Sequence, residues 1–208
     1  MTKQIRILIV DDHALMRTGL ATSLNLEPDM TIAGQASTGL QALELYAKYK
    51  PDVVLMDQRL PDMPGDETTA KLCAQFPQAR VIAFSSYKTQ EDIFRFVRAG
   101  ARSYLPKDAL LHELLHAIRV VHSGQSYMPP AIAALRVDRM QSPELSPREG
   151  AVLKLIVKGR TNKEIAQALS IAETTVKDHV SSLFTKLQAT DRTQASTIAI
   201  QRGIIHLD

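Results

Sequence analysis

Only one cysteine, Cys73, occurs among the 208 residues, so no internal disulfide is available to staple the fold. Placed on a helix expected over 65–76, it reads as an ordinary thiol rather than a redox centre. No uninterrupted apolar stretch approaches the roughly 20 residues that a bilayer-spanning helix needs. Met1-Thr2-Lys3 leads straight into an apolar segment without a secretory signal pattern. A cytoplasmic location and no membrane partner are therefore expected. Internal repeats and low-complexity tracts are lacking as well, which excludes a solenoid or an array. Charge of one sign is scarce: residues 1–128 carry 14 Lys+Arg against 14 Asp+Glu, and residues 129–208 carry 11 against 8, so the formal +3 lies in the C-terminal part. That excess permits a polyanion partner there without establishing one.

What is present is a substantial hydrophobic fraction, 45%, enough to build one large or two small cores. Gly124, Pro129-Pro130 and Ser142-Pro143 interrupt the pattern, leaving room between them for one short helix over 132–140. The expected organisation is a domain over 1–123, a linker over 124–143 and a second domain over 144–208.

In the first domain, short apolar runs near 5–10, 31–35, 52–56, 80–84 and 102–106 alternate with helical patterns near 14–25, 39–49, 65–76, 89–99 and 109–122. Such alternation predicts a flavodoxin-like (βα)5 fold with a parallel sheet, in the doubly wound order 2-1-3-4-5. Four runs end in chemically capable residues: the first in Asp11-Asp12, the third in Asp57, the fourth in Ser85 and the fifth in Lys107. All would gather at the carboxyl edge of the sheet. Three clustered carboxylates repel one another unless a cation compensates, and oxygen ligands suit Mg²⁺, with Mn²⁺ as the alternative. Such a cation, with Lys107, could neutralise charge on a phosphoryl group transferred to Asp57 as an acyl phosphate. His13 is expected to start the first helix. His112 and His116 share a helical face but have no third ligand nearby.

With these residues in place, 1–123 resembles the receiver domain of bacterial response regulators: an acidic pair after the first strand, the acceptor after the third, Ser or Thr after the fourth, Lys after the fifth. The run Asp57-Gln58-Arg59-Leu60-Pro61-Asp62-Met63-Pro64-Gly65 carries the family's Pro and Gly spacing. The resemblance implies Asp57 as phosphoacceptor and Asp11, Asp12, Asp57 and the Arg59 backbone carbonyl as metal ligands. It further implies Ser85 and Tyr104 as a switch pair and Lys107 as the phosphoryl contact. Two departures stand out. Pro106 precedes Lys107, tolerable on an edge strand if its missing donor faces away from the fourth strand. Arg59 and Tyr87 are bulky where this family controls the approach of hydrolytic water, and are expected to shield the acyl phosphate.

From Leu145 onward the pattern is all-α, with four helices expected over 147–158, 162–169, 173–187 and 192–202. Ser146 with Glu149, Thr161 with Glu164 and Asp191 with Gln194 read as three capping boxes. Only a few residues separate the second and third helices, as in a helix-turn-helix. On the third, Val176, Val180, Leu183 and Leu187 form a buried stripe, which turns Thr174, Lys177, Asp178, Ser181 and Thr185 outward towards a major groove. Lys158, Arg160, Lys163, Lys186 and Arg192 could flank it as phosphate contacts, each steepening the salt dependence of log K by about 0.9.

Residues 145–199 resemble the LuxR-type helix-turn-helix module. The carriers are Leu145, Pro147, Arg148, Glu149, Gly159, Asn162-Lys163-Glu164-Ile165-Ala166, Leu169, Ile171, Thr175-Val176-Lys177, His179, Lys186-Leu187 and Arg192-Thr193-Gln194-Ala195. The module adds Thr175 to the DNA-facing set. Ser170 stands where the turn usually has Gly, Ala172 where a Ser-type cap is usual, Asp178 where an apolar residue is common and Ser181 where a basic one is.

Taken together, the chain resembles a NarL/FixJ-type two-component response regulator. The resemblance implies a sensor histidine kinase and double-stranded DNA as partners, a homodimer on phosphorylation, RNA polymerase as a further partner, and no enzyme activity beyond the receiver's own phosphorylation and dephosphorylation. A Mg²⁺-dependent aspartyl phosphohydrolase would need a substrate cap, for which the segment from Gln58 to Gly65 is too short. A regulator that ignores phosphorylation is a third reading, disfavoured because all five receiver positions are filled.

Overall fold

Near-continuous apolar runs along short parallel strands give the first half of the chain a sheet with two apolar faces. The computed structural model describes residues 4–86, 89–141 and 143–205, and the side chains of all of these except 136–141. The chain divides into two units near residue 134.

The first unit runs β1 (Ile5–Val10), α1 (Ala14–Asn25), β2 (Met30–Ala36), α2 (Gly39–Tyr49), β3 (Val53–Met56), α3 (Gly65–Gln75), β4 (Val81–Ser85), α4 (Gln90–Arg98), β5 (Ser103–Pro106) and α5 (Leu111–His122). Its sheet has the order β2-β1-β3-β4-β5, all pairs parallel, as expected. Ile7, Ile9, Val53, Leu55, Ile82, Phe84 and Leu105 pack with Leu20 and Leu24 of α1 and with Leu114, Ile118 and Val121 of α5. The alternate residues Leu8, Val10, Val54, Met56, Ala83 and Tyr104 are also buried and face the other side of the pleat. Each such aliphatic side chain contributes about 1.5–3 kcal/mol by leaving water. Because both faces are covered, only the strand ends can carry chemistry.

Two local details position those ends. Lys107 donates its backbone N–H to the Ser85 carbonyl at 2.9 Å. The rung towards β4 is therefore carried by the residue after Pro106, and the proline nitrogen lies on the outer side of this edge strand. The helix expected from 109 begins at Leu111 instead, because Ala109 N–H turns back to the Pro106 carbonyl at 3.0 Å. The expected linker contains α6 (Pro130–Gln141).

The second unit holds α7 (Pro147–Val157), α8 (Asn162–Leu169), α9 (Glu173–Leu187) and α10 (Arg192–Gln201). Val152, Leu153, Ile156, Ile165, Val176, Leu183, Leu187, Ala195 and Ala199 form its core. The boxes at Ser146/Glu149 and Thr161/Glu164 close reciprocally. The third differs: Asp191 caps Gln194 N–H at 2.8 Å, but the Gln194 side chain accepts from Thr190 N–H at 2.6 Å. The returning bond thus falls one residue earlier than a capping box requires.

Candidate functional site

β1, β3 and β5 deliver Asp11, Asp57 and Lys107 to one point at the carboxyl edge. Lys107 Nζ lies 2.7 Å from Asp11 Oδ2 and 2.8 Å from Asp57 Oδ2, and both carboxylates are buried. Asp57 is held by its own backbone: its N–H donates to the Val10 carbonyl at 2.8 Å, and Oδ1 accepts from Gln58 N–H at 2.7 Å. Burial pushes the Asp57 carboxyl above the usual carboxylate range, with the Asp11 charge adding to the rise and Lys107 opposing it. For Lys107 burial opposes the ammonium, yet the hydrogen bonds and charges of Asp11 and Asp57 outweigh it and hold the group above its ordinary value.

Asp12 is exposed beside this pair. His13, the N-cap residue of α1, places Nδ1 2.7 Å from Asp12 Oδ1, and its backbone N–H donates to Asp11 Oδ1 at 2.8 Å. Asp11, Asp12, His13 and Asp57 each offer a ligand atom within 4.8 Å of the others. This set, dominated by carboxylate oxygens and partly open to water, is compatible with a divalent cation and suits a hard one. His13 is the member that sequence reasoning set aside; its position two residues after Asp11 was the available signal. Arg59 is exposed at the start of the loop between β3 and α3. Tyr87, the other half of the expected shield, lies outside the described residues.

Ser85, the last residue of β4, and Tyr104, the second residue of β5, are fully buried. Both reach Gln58, which sequence reasoning did not single out: Ser85 Oγ donates to Gln58 Oε1 at 2.7 Å, and the Tyr104 hydroxyl donates to the same oxygen at 3.3 Å. The Tyr104 ring meets Phe96 of α4 edge-on, centroids 5.7 Å apart. Burial raises its phenol far above the ordinary value, so it acts as a neutral donor.

In the second unit, Thr174, Thr175, Lys177, Asp178, Ser181 and Thr185 are all exposed on α9 and Lys163 is exposed on α8. Lys186 and Arg192 sit differently. Lys186 Nζ pairs with the buried Glu149 at 2.8 Å and donates to the Glu144 carbonyl at 3.1 Å. Arg192 donates to the Arg160 carbonyl at 2.8 Å and to Asn162 Oδ1. These two cations brace α7 to α9 and α8 to α10. Partners 37 and 30 residues away left no local signal.

The turn before α9 carries two unfavourable residues. Ser170 is left-handed, with φ 54°, and Ala172 at the N-cap makes no side-chain bond. Ala172→Ser is expected to raise the stability of this unit by about 1 kcal/mol, read as a later urea midpoint for the helical unit's transition. An unchanged midpoint would show the helix start to be satisfied by other means.

Two family descriptions match the chain: a response regulator receiver domain over residues 7–119 and bacterial regulatory proteins of the luxR family over 143–199. The transcriptional regulatory protein YhcZ of Bacillus subtilis is 40% identical over 96% of this chain and 97% of its own. LiaR of the same organism is 34% identical over 97% and 100%, and the response regulator VraR of Staphylococcus aureus 34% over 97% and 99%. Among solved structures, response regulator ChrA of a heme-sensing two-component system superposes with a TM-score of 0.58 at 33% identity, covering 97% of this chain and 99% of that one. RcsB of Salmonella enterica reaches 0.73 at 19% identity, covering 94% and 98%, a likeness of fold. The span matched by the receiver family covers the parallel sheet from Ile7 onward and that matched by the luxR family covers the four-helix module as far as Ala199, and the chain belongs to the NarL/FixJ-type two-component response regulators, transcription regulators with a receiver and a LuxR-type DNA-binding domain.

Proposed function

We propose that the chain is a phosphorylation-controlled, sequence-specific DNA-binding regulator, with a receiver over 1–123, a linker over 124–143 and a DNA-binding domain over 144–208. The observation that carries this reading is the convergence of Asp57 and Asp11 on Lys107 Nζ at 2.8 and 2.7 Å beside a cation-capable cluster.

A sensor histidine kinase supplies the phosphoryl group. An Asp57 carboxylate oxygen attacks phosphorus, the P–N bond of the phosphohistidine breaks as the P–O bond forms, and the imidazole leaves with a proton. Asp11, Asp12, Asp57 and the Arg59 carbonyl would hold Mg²⁺, which supplies positive charge against the phosphoryl oxygens. Lys107 moves from its carboxylate pair to a phosphoryl oxygen and stays cationic because of its acidic neighbours. Ser85 donates to the same group, and Tyr104 follows into the space it leaves. Arg59 shields the acyl phosphate from water.

Phosphorylation promotes a homodimer whose two α9 helices meet half-sites about one helical turn apart. Thr174, Thr175, Lys177, Asp178, Ser181 and Thr185 face bases and neighbouring phosphates, and Lys163 adds a phosphate contact. Lys186 and Arg192 act mainly by holding the helices in place. RNA polymerase is the downstream partner and the cytoplasm the site of action; among the described residues no helix is long and apolar enough to cross a membrane.

The full chain is treated with a small phosphodonor and Mg²⁺ and followed by intact mass and by gel shift on genomic fragments. One phosphoryl group is expected on the wild type and none on Asp57→Ala, with DNA binding tightened about tenfold in the former, as a charge-assisted hydrogen bond to Ser85 would allow. Equal binding by treated, untreated and Asp57→Ala protein would point to phosphorylation-independent control.

A further inference from the structure

The side chain after the acceptor is tied to three separate elements. Gln58 Oε1 accepts from Ser85 on β4 and Tyr104 on β5, at 2.7 and 3.3 Å, while its Nε2 donates to Asp92 on α4. The amide can face only this way. A carboxylate such as Asp92 accepts hydrogen bonds and donates none, so the NH₂ end must meet it and the carbonyl end must meet the two hydroxyls. The backbone of Gln58 is pinned as well: its N–H donates to Asp57 Oδ1 at 2.7 Å, and its carbonyl accepts from Gly65 N–H at 2.8 Å. The side chain therefore starts from a fixed point next to the acceptor. It ends on Asp92, which is 1% exposed in the first turn of α4.

We infer that Gln58 is a latch: its amide holds the Ser85 hydroxyl away from Asp57 in the unphosphorylated receiver and passes the hydroxyl's release to α4 through Asp92. This deepens the function proposed above and rests on phosphorylation at Asp57. A hydroxyl has one hydrogen to donate. A phosphoryl group on Asp57 brings three strong acceptor oxygens to the neighbouring position, and Ser85 cannot serve these and Gln58 together. When Ser85 leaves, Gln58 loses the shorter of its two hydroxyl bonds. Its carbonyl is then held by Tyr104 alone on that side, and a swing of Tyr104 breaks the remaining bond and frees the amide to move with Asp92. Gln58 touches no transferred atom; it is a positioning residue, and its contribution is to oppose phosphoryl binding by the weight of the Ser85 bond, about fivefold in population.

The test uses the full chain with Mg²⁺ and beryllofluoride as the phosphoryl mimic. It reads mimic affinity by titration and amide hydrogen exchange of peptides covering α4. Gln58→Met keeps the length of the side chain and removes the amide. It is expected to bind the mimic about fivefold more tightly than wild type, and its α4 exchange without mimic should already resemble that of mimic-loaded wild type. The gain should vanish when Ser85→Ala is present in both proteins, since competition needs the hydroxyl; a merely structural effect of residue 58 would persist there. Asp92→Ala, which cuts the far end of the latch, should leave mimic affinity within twofold of wild type while α4 exchange no longer responds, and it serves if Gln58→Met folds poorly. Equal affinity and equal α4 exchange in wild type and Gln58→Met would overturn the latch while leaving the function intact, as would a gain that survives Ser85→Ala. Failure of wild type to take up the mimic, matching Asp57→Ala, would overturn both.

Discussion

Gly65→Ala is expected to lower the receiver's melting temperature by roughly 10 °C and to remove most phosphoryl uptake at Asp57. A Cβ at position 65 would stand 1.9 Å from the Asp57 carbonyl oxygen, 2.9 Å from its carbonyl carbon and 3.1 Å from Gln58 Cα. All three are backbone atoms, so no side-chain rotation relieves the overlap. The requirement is one of close approach, since the Gly65 N–H also binds the Gln58 carbonyl at 2.8 Å and the start of α3 is pressed against the peptide of Asp57. Overpacking costs up to about 3 kcal/mol, which for a domain of this size corresponds to roughly 10 °C. To relieve it, the peptide that carries Asp57 must shift away from Lys107, whence the loss of uptake. Gly150→Ala is the contrast. Nothing lies within 4 Å of a Cβ at that helical glycine in α7, so the same substitution should stabilise the second unit by about 0.5–1 kcal/mol. Calorimetry of the full chain would check both signs. A Gly65→Ala protein that melts like wild type and accepts phosphate would mean that the β3–α3 loop is not packed as described.

That glycine shows how far sequence reasoning carried. Its spacing from Asp57 was visible as a family signature, but its reason, a backbone crossing, is a property of three dimensions. The strand-end placement of Asp11, Asp57, Ser85 and Lys107 was legible because a parallel sheet covered on both faces advertises itself as short apolar runs, and each run's end is fixed in space by topology. The exposed face of α9 followed from the period of Val176, Val180, Leu183 and Leu187, of which Val180 is only partly buried against the core. Contacts made by long polar side chains across elements were not legible. Gln58 finds partners 27, 34 and 46 residues away, and Lys186, which by charge belongs to a phosphate-facing set, is drawn to Glu149. Local rules misplaced what a neighbour could outbid: Gln194 caps towards Thr190 because that N–H and hydroxyl together offer two donors.

Glu149→Ala is expected to destabilise the DNA-binding unit by about 3 kcal/mol, and the acid limb of its stability curve should identify the carboxylate as the cause. Glu149 is 5% exposed. It accepts from Ser146 N–H at 2.7 Å, from Ser182 Oγ at 2.7 Å and from Lys186 Nζ at 2.8 Å. One carboxylate thus closes the capping box of α7 and ties α7 to α9. Truncation removes half of the box, about 1 kcal/mol, and charge-assisted bonds worth about 1.5–3 kcal/mol in a partly buried setting. These contributions share one group and do not simply add. Burial alone would raise the carboxyl, but Lys186, Ser182 and Ser146 outweigh it and bring the pKa from 4.5 down to about 2. The sign follows from proton affinity: the unfolded chain holds the proton more tightly, so the stabilisation is full above pH 4.5 and is lost as pH falls towards 2. Urea midpoints of wild type and Glu149→Gln should therefore differ most near neutral pH and converge in acid, and a gap that stayed constant with pH would assign the loss to packing rather than to charge. DNA affinity offers the functional readout. If α9 is the reading helix, its brace to α7 sets the angle at which Thr174, Lys177 and Ser181 meet the groove, and Glu149→Gln should weaken specific binding more than non-specific binding even under conditions where both proteins are folded.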